Sequence, residues 1–145
     1  MSRLTRRAVL AVPAAFAVPA QAQTEDYAAA ERAILAGRAP VTDGITLDIP
    51  RLSENGNSVD LAVKVASPMT AEDHVTALHI LSEKNPVPRV ATFSLSPRNG
   101  RAEVATRIRL ATTQTILVLA ETSRGAVHRA EREVIVILGA CVDGG

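Results

Sequence analysis

The chain has 145 residues, 47% of them hydrophobic and only 2% aromatic, with a formal net charge of +1 and a single cysteine. That length accommodates one compact domain with a real core and not two. A lone cysteine forms no internal disulfide, and a near-neutral chain with two phenylalanines, one tyrosine and no tryptophan lacks the basic face and stacking residues of a nucleic-acid binder.

Residues 1–22 read as an export signal. Arg3, Arg6 and Arg7 precede an apolar stretch that runs to Ala20 and is too short to span a bilayer, and Ala20-Gln21-Ala22 is a cleavage site of the A-x-A type. Thr5-Arg6-Arg7 with Leu10 three residues on fits the twin-arginine variety of signal. Export of a folded protein to a bacterial periplasm is therefore expected, with cleavage after Ala22. Cleavage removes three arginines and no acid, which takes the formal charge from +1 to −2. No second apolar segment reaches the ~18 residues of a span, so the mature chain is expected to stay off the membrane.

Residues 23–43 predict one short helix and a linker. Thr24 or Asp26 offers an N-cap, an Ala-rich run follows from Tyr27, and Gly37 and then Pro40 end it. From 44 to 138 the pattern changes to short alternating runs. Ile45 to Ile49 alternates and stops at Pro50, Glu54-Asn55-Gly56-Asn57 is a turn, and Val59, Leu61, Val63 and Val65 line one face of the next strand. Ser67-Pro68-Met69-Thr70 turns the chain into a strand over His74 to Ser82. Asn85-Pro86-Val87-Pro88 is a rigid loop before Val90 to Leu95, and Arg98-Asn99-Gly100 reads as a hairpin turn.

Val104, Thr106, Ile108 and Leu110 then face one way, with Arg107 and Arg109 on the other side. Thr115 to Glu121 is nearly all apolar and should be central, and a longer last strand ends at Leu138 with a bulge expected where Arg129 to Glu133 interrupts it. About seven strands at roughly 10-residue spacing predict an all-β fold, an immunoglobulin-like antiparallel β-sandwich with a short N-terminal helix and a flexible C-terminal arm.

Catalytic constellations are not evident. His74 and His79 are an odd number of residues apart, so on one strand they point to opposite faces, and His128 stands alone; no metal site is expected. The sequence has no Gly-rich phosphate loop, serine elbow or paired acids in a catalytic context, and neither cofactor nor turnover by the chain itself is predicted. Arg107 and Arg109 are more often a solvated or interface face than an anion clamp.

The residue that stands out is Cys141. A β-branched run over residues 133–138 gives way at Gly139 to a short tail, Gly139-Ala140-Cys141-Val142-Asp143-Gly144-Gly145, with no apolar periodicity. A structural cysteine sits in a core as a small hydrophobe, whereas a thiol on such a tail reaches outward and suits a handle for chemistry. An incidental free thiol is the other reading. The Gly144-Gly145 pair also ends ubiquitin-like sulfur carriers, but their ATP-dependent activation does not go with export.

From about Thr46 to the end the sequence resembles the SoxY family of sulfur-oxidation carrier proteins. The blocks that carry the resemblance are Leu47-Asp48-Ile49-Pro50, Glu54-Asn55-Gly56-Asn57, Ser67-Pro68-Met69-Thr70, residues 85–93, residues 105–111 and Thr113-Gln114-Thr115, in that order, together with the twin-arginine signal and the terminal cysteine. The resemblance implies an immunoglobulin-like domain paired with a SoxZ-like subunit, with Cys141 as the sulfur attachment point and residues 139–145 as the carrier arm. It also implies transient partners: a haem enzyme that couples thiosulfate oxidatively to the thiol, a di-manganese hydrolase that releases sulfate, and a molybdenum dehydrogenase that oxidises the remaining sulfane sulfur. The alternative is a chemically idle paralogue that serves only as a binding or structural sandwich.

The family arm reads Gly-Gly-Cys-Gly-Gly, and this one departs from it. Ala140 and Val142 restrict the backbone beside the thiol, and Asp143 places a negative charge there that repels an anionic cargo. Gln114 and the Arg107/Arg109 face are the candidate interface positions.

Overall fold

The computed structural model describes residues 25–141, so the export signal and Val142, Asp143, Gly144 and Gly145 of the arm lie outside the described residues. Asp26 caps helix α1 (Tyr27–Leu35) by accepting the Ala29 N–H on Oδ1 at 2.6 Å, a bond of the kind worth about 1 kcal/mol. The chain leaves the helix through Ala36 in the left-handed region, φ 48°. Eight strands follow: β1 (Ile45–Asp48), β2 (Leu52–Asn55), β3 (Val59–Val65), β4 (Val75–Ser82), β5 (Arg89–Ser94), β6 (Ala102–Ile108), β7 (Gln114–Thr122) and β8 (Val127–Leu138).

The strands form two sheets, a small one in the order β1-β3-β6 and a large one in the order β2-β8-β7-β4-β5. Side chains alternate across each strand, so β3 sends Val59, Leu61, Val63 and Val65 into the space between the sheets, where they meet Leu78 and Ile80 of β4, Ile116 and Val118 of β7, and Val134 and Val136 of β8. Central β7 is apolar on both faces because both are covered. Leu117 and Leu119 point away from the small sheet and pack, with Leu81 and Val127, under Ala30 and Ile34 of α1. The molecule is thus a β-sandwich with one helix laid on the outer face of its large sheet.

Ion pairs fasten that helix at three places. Arg89 of β5 holds Glu25 in a two-bond fork at 2.6 and 2.8 Å, Arg129 of β8 holds Glu31 at 2.8 Å, and Arg38 just beyond the helix holds Glu121 of β7 at 2.6 Å. Arg38 also donates to the Ile34 and Leu35 carbonyls, satisfying acceptors that the end of the helix leaves free. Glu121 in turn accepts the Nε2–H of His79 at 2.9 Å, and His79 Nδ1 lies 3.1 Å from Thr92 Oγ1. Burial pushes the Glu121 carboxyl up, but the bonds from His79 and Arg38 outweigh it and leave it below the ordinary carboxylate value.

Three expectations change. The segment read as a turn near Gly56 begins with a strand, β2, whose four residues are too few for periodicity to reveal. It runs parallel to β8, with Leu52 opposite Ile135 and Asn55 opposite Leu138, so the pairing is antiparallel elsewhere but parallel on this edge. Residues 98–100 do not close a hairpin, because β5 and β6 belong to different sheets; a 3-10 turn over Pro97–Asn99 carries the chain across. Finally, β8 pairs with β7 from Val127 to Val134 without a register shift, and the irregularities fall in β4 instead. The charges at 129–133 need no bulge, since Arg129 is neutralised by Glu31 and Glu131 on the helix-facing side.

Candidate functional site

Gly56 follows β2, residues 83–88 join β4 to β5, and residues 109–113 join β6 to β7. All three connections come together where β8 ends. The Gly56 N–H donates to the Leu138 carbonyl at 2.8 Å, the Leu110 N–H donates to the Gly56 carbonyl at 2.8 Å, and the Ala140 N–H donates to the Leu110 carbonyl at 2.9 Å. This chain of backbone bonds carries the sheet past the end of β8 and holds the first residues of the tail against the domain.

Two glycines make that approach possible. A Cβ on Gly139 would lie 2.1 Å from the Ala111 carbonyl oxygen, and a Cβ on Gly56 would lie 2.3 Å from the Leu110 carbonyl oxygen. Neither has a positive φ, so what each supplies is the missing side chain. Gly139 is therefore a contact point and not a hinge. Ala140 is buried, with 7% of its surface exposed, and Cys141, the next residue, is exposed. Two residues expected in the free arm, Gly139 and Ala140, belong to the domain, and Cys141 stands directly at its edge.

Side chains brace the loop that does the holding. Asn85 Oδ1 accepts from the Ala111 N–H at 3.0 Å and from Gln114 Nε2 at 2.9 Å, while Asn85 Nδ2 donates to the Arg109 carbonyl at 2.8 Å. These partners fix which end of the amide is which. Gln114 completes the brace by accepting the Lys84 N–H at 2.9 Å and donating to the Thr112 carbonyl at 3.1 Å. Thr113 Oγ1 accepts the Val136 N–H at 2.9 Å, tying the same loop to β8.

Gln114 is 1% exposed and fully engaged in this network, so it is not an interface residue as expected. Arg107 is exposed and paired with Asp60 across the outer face of the small sheet, and Arg109 contributes its backbone carbonyl to Asn85. The residues that the sequence reading passed over are Asn85, Gly56 and Leu110. The signal for two of them was faint but present, an Asn before a proline and a Gly in a turn; Leu110 acts through its backbone, which carries no signal of its own.

Beside the same edge lies an apolar strip. Val134 and Val136 fill the core, but Ile135 and Ile137 point outward and are 50% and 67% exposed, and Leu52 on β2, opposite Ile135, joins them at 54%; Leu138, on the other side of the strand, is also exposed, at 65%. Among the described residues no three His, Cys, Asp or Glu side chains gather as a metal-binding group.

The family model for "Sulfur oxidation protein SoxY" matches residues 31–141. The chain belongs to the SoxY family. Among solved structures it is similar to the sulfur carrier protein SoxY from Chlorobium limicola f thiosulfatophilum, with 32% identity and a TM-score of 0.59 over 74% of this chain and 94% of that one. It is also similar to a superoxide reductase (neelaredoxin) from Ignicoccus hospitalis, at 15% identity and a TM-score of 0.56 over 75% of this chain and 91% of that one, and to a putative superoxide reductase from Thermotoga maritima, at 19% identity and a TM-score of 0.53 over 63% and 84%. At that identity the reductases share the sandwich fold with this SoxY-family domain. No curated protein matches the chain significantly. Four of the blocks that carry the resemblance, those holding Gly56, Asn85, Leu110 and Gln114, meet around the root of Cys141.

Proposed function

We propose that the protein is a periplasmic sulfur carrier of a thiosulfate-oxidising system, holding sulfur intermediates covalently on the Cys141 thiol and performing no turnover alone. The observation that carries this is an exposed, lone cysteine set at the edge of a SoxY-family domain, on a root built from the same blocks that carry the family likeness. In the cycle, the thiolate and the outer sulfur of thiosulfate join in an S–S bond as two electrons pass to a haem enzyme. Water then releases sulfate at a di-manganese hydrolase and leaves a persulfide, and a molybdenum enzyme oxidises that sulfane sulfur. The chain contributes an exposed thiol and a fixed place to find it.

A second subunit of the SoxZ type is the partner in this reading. The strip formed by Leu52, Ile135 and Ile137 supports it, since an exposed apolar surface of this kind is what a lasting subunit contact covers. The strip adjoins the arm root, so the partner's surface would form one wall beside the thiol.

The test is an intact mass and a peptide map of the mature protein purified without reductant from cells oxidising thiosulfate. Sulfur adducts confined to Cys141, a second small chain co-purifying, and loss of all loading in Cys141→Ser with an unchanged melting temperature are expected. A bare or glutathione-capped thiol while the pathway runs would overturn the proposal in favour of an idle paralogue.

A further inference from the structure

We infer that Asn85, with Gln114, is a positioning residue for Cys141, acting through the loop of residues 109–113. The inference rests on the reading of Cys141 as the reacting group, but its physical content is independent of what the thiol carries.

Asn85 is half-buried, and each of its polar atoms is used on this loop or on the glutamine that braces it: Nδ2 on the Arg109 carbonyl, and Oδ1 on the Ala111 N–H and on Gln114. Those two backbone contacts flank Leu110, whose carbonyl accepts the Ala140 N–H and whose N–H reaches Gly56. The Ala111 carbonyl is the atom against which Gly139 is wedged. Asn85 therefore grips the loop on both sides of the residue that holds the chain one position before Cys141. Asn85 is not part of the core cluster between the sheets. Its bonds are spent on locating residues 109–111, and through them the thiol.

Positioning matters for this chemistry because the sulfur atom must enter the active site of each enzyme that acts on it. With Ala140 docked, Cys141 starts from one place on the domain edge, and a partner enzyme that recognises that edge meets the thiol at a defined distance. With the root released, the thiol is spread over the volume of a longer tether and its local concentration at any one docked site falls.

The single cysteine lets the root be read directly. A nitroxide label on Cys141 of the mature chain reports local mobility, and hydrogen exchange at the Ala140 amide reports the bond to Leu110. Asn85→Ala is expected to narrow the nitroxide spectrum and to speed Ala140 exchange about tenfold, the size expected for losing a buried polar partner. Asn85→Asp, which keeps the acceptor bonds but sets a carboxylate oxygen against the Arg109 carbonyl where the amide donated, should fall between wild type and Asn85→Ala. Leu117→Val, under the helix on the other face of the large sheet, should lower the melting temperature without moving either signal, which separates positioning from general destabilisation.

In the sulfur-loading assay Asn85→Ala should slow transfer by the thiosulfate-coupling enzyme while alkylation by iodoacetamide stays as fast or faster. Thr113→Val, which removes only the hydroxyl that holds Val136, serves if Asn85→Ala does not fold, with the same change expected in kind. Unchanged exchange and an unchanged spectrum in the folded variant would overturn the inference. A mobile root in Asn85→Ala together with a wild-type thiol that never loads would sustain the positioning role and sink the carrier reading.

Discussion

The two halves of β8 are one continuous strand and yet meet opposite surroundings. At Val127 and Arg129 its outer side lies under α1: Val127 packs with Ala30 and Ile34, Arg129 is paired with Glu31, and Val41 of the linker bonds along the strand edge. From Val134 to Leu138 the inner side still fills the core, but Ile135, Ile137 and Leu138 are exposed and the edge is taken by four-residue β2. The first half is closed by the chain's own helix, and Glu25 before it, Glu31 within it and Arg38 after it reach three separate strands. The second is finished only as far as the root of Cys141, with apolar side chains left facing out. The difference teaches that the helix is a cover of fixed length, and that where it stops the strand leaves apolar side chains exposed.

Charging the open half should break the comparison most strongly. Ile137→Glu places an unpaired carboxylate in the strip, and because burying such a charge costs several kcal/mol, co-purification with the second subunit should weaken by about a hundredfold or more. The isolated chain should melt as before, since Ile137 is 67% exposed. Retained pairing, read by size-exclusion chromatography of the co-expressed chains, would place the partner elsewhere.

Filling the space at the root comes next. Gly139→Ala meets the Ala111 carbonyl oxygen at 2.1 Å, so either the loop or the tail must move. Undocking of the tail limits the damage, and a loss of about 1–3 kcal/mol in urea unfolding is expected, with faster exchange at Ala140 and none of this at the helix. A variant as stable and as protected as wild type would show that the close contact is not needed.

The smallest effect belongs to the closed half. Glu121 is held below its ordinary range by His79 and Arg38 against the opposing effect of burial. A depressed carboxyl adds stability that is fully present above its unfolded value, near 4.5, and is lost as pH falls through the folded one. Glu121→Gln should thus cost about 1 kcal/mol at pH 7, and the gap from wild type should narrow as the pH drops below 4. A gap that stays constant down to pH 3 would mean that the carboxylate charge contributes nothing to holding the helix.

Much of this could be read before any coordinates. Alternation in residues 59–65 and 104–110 and the doubly apolar run at 115–121 gave the strands and the central place of β7, because side-chain period and burial are local consequences of the pleat. The cap at Asp26 and the helix behind it were equally local. What was not legible depended on partners far away in sequence. Leu52–Asn55 becomes a strand only because β8 lies beside it, and Arg98-Asn99-Gly100 looks like a hairpin until the strands it joins are seen in different sheets. Charges at 129–133 look like an interruption until Glu31 is found above Arg129.

The site divides in the same way. By itself the sequence determined that one thiol, Cys141, follows the last strand and that a SoxY-like domain precedes it, since a lone cysteine after a β-branched run is visible residue by residue. Only the tertiary structure decided where the arm begins. Gly139 reads as flexible and is in fact wedged against Ala111, and Ala140 reads as tail and is buried under the Gly56 turn, because a glycine's lack of a side chain permits mobility and close contact equally. Which of the two it serves depends on the backbone that arrives opposite, and for Gly139 that backbone is Ala111, 28 positions earlier in the chain.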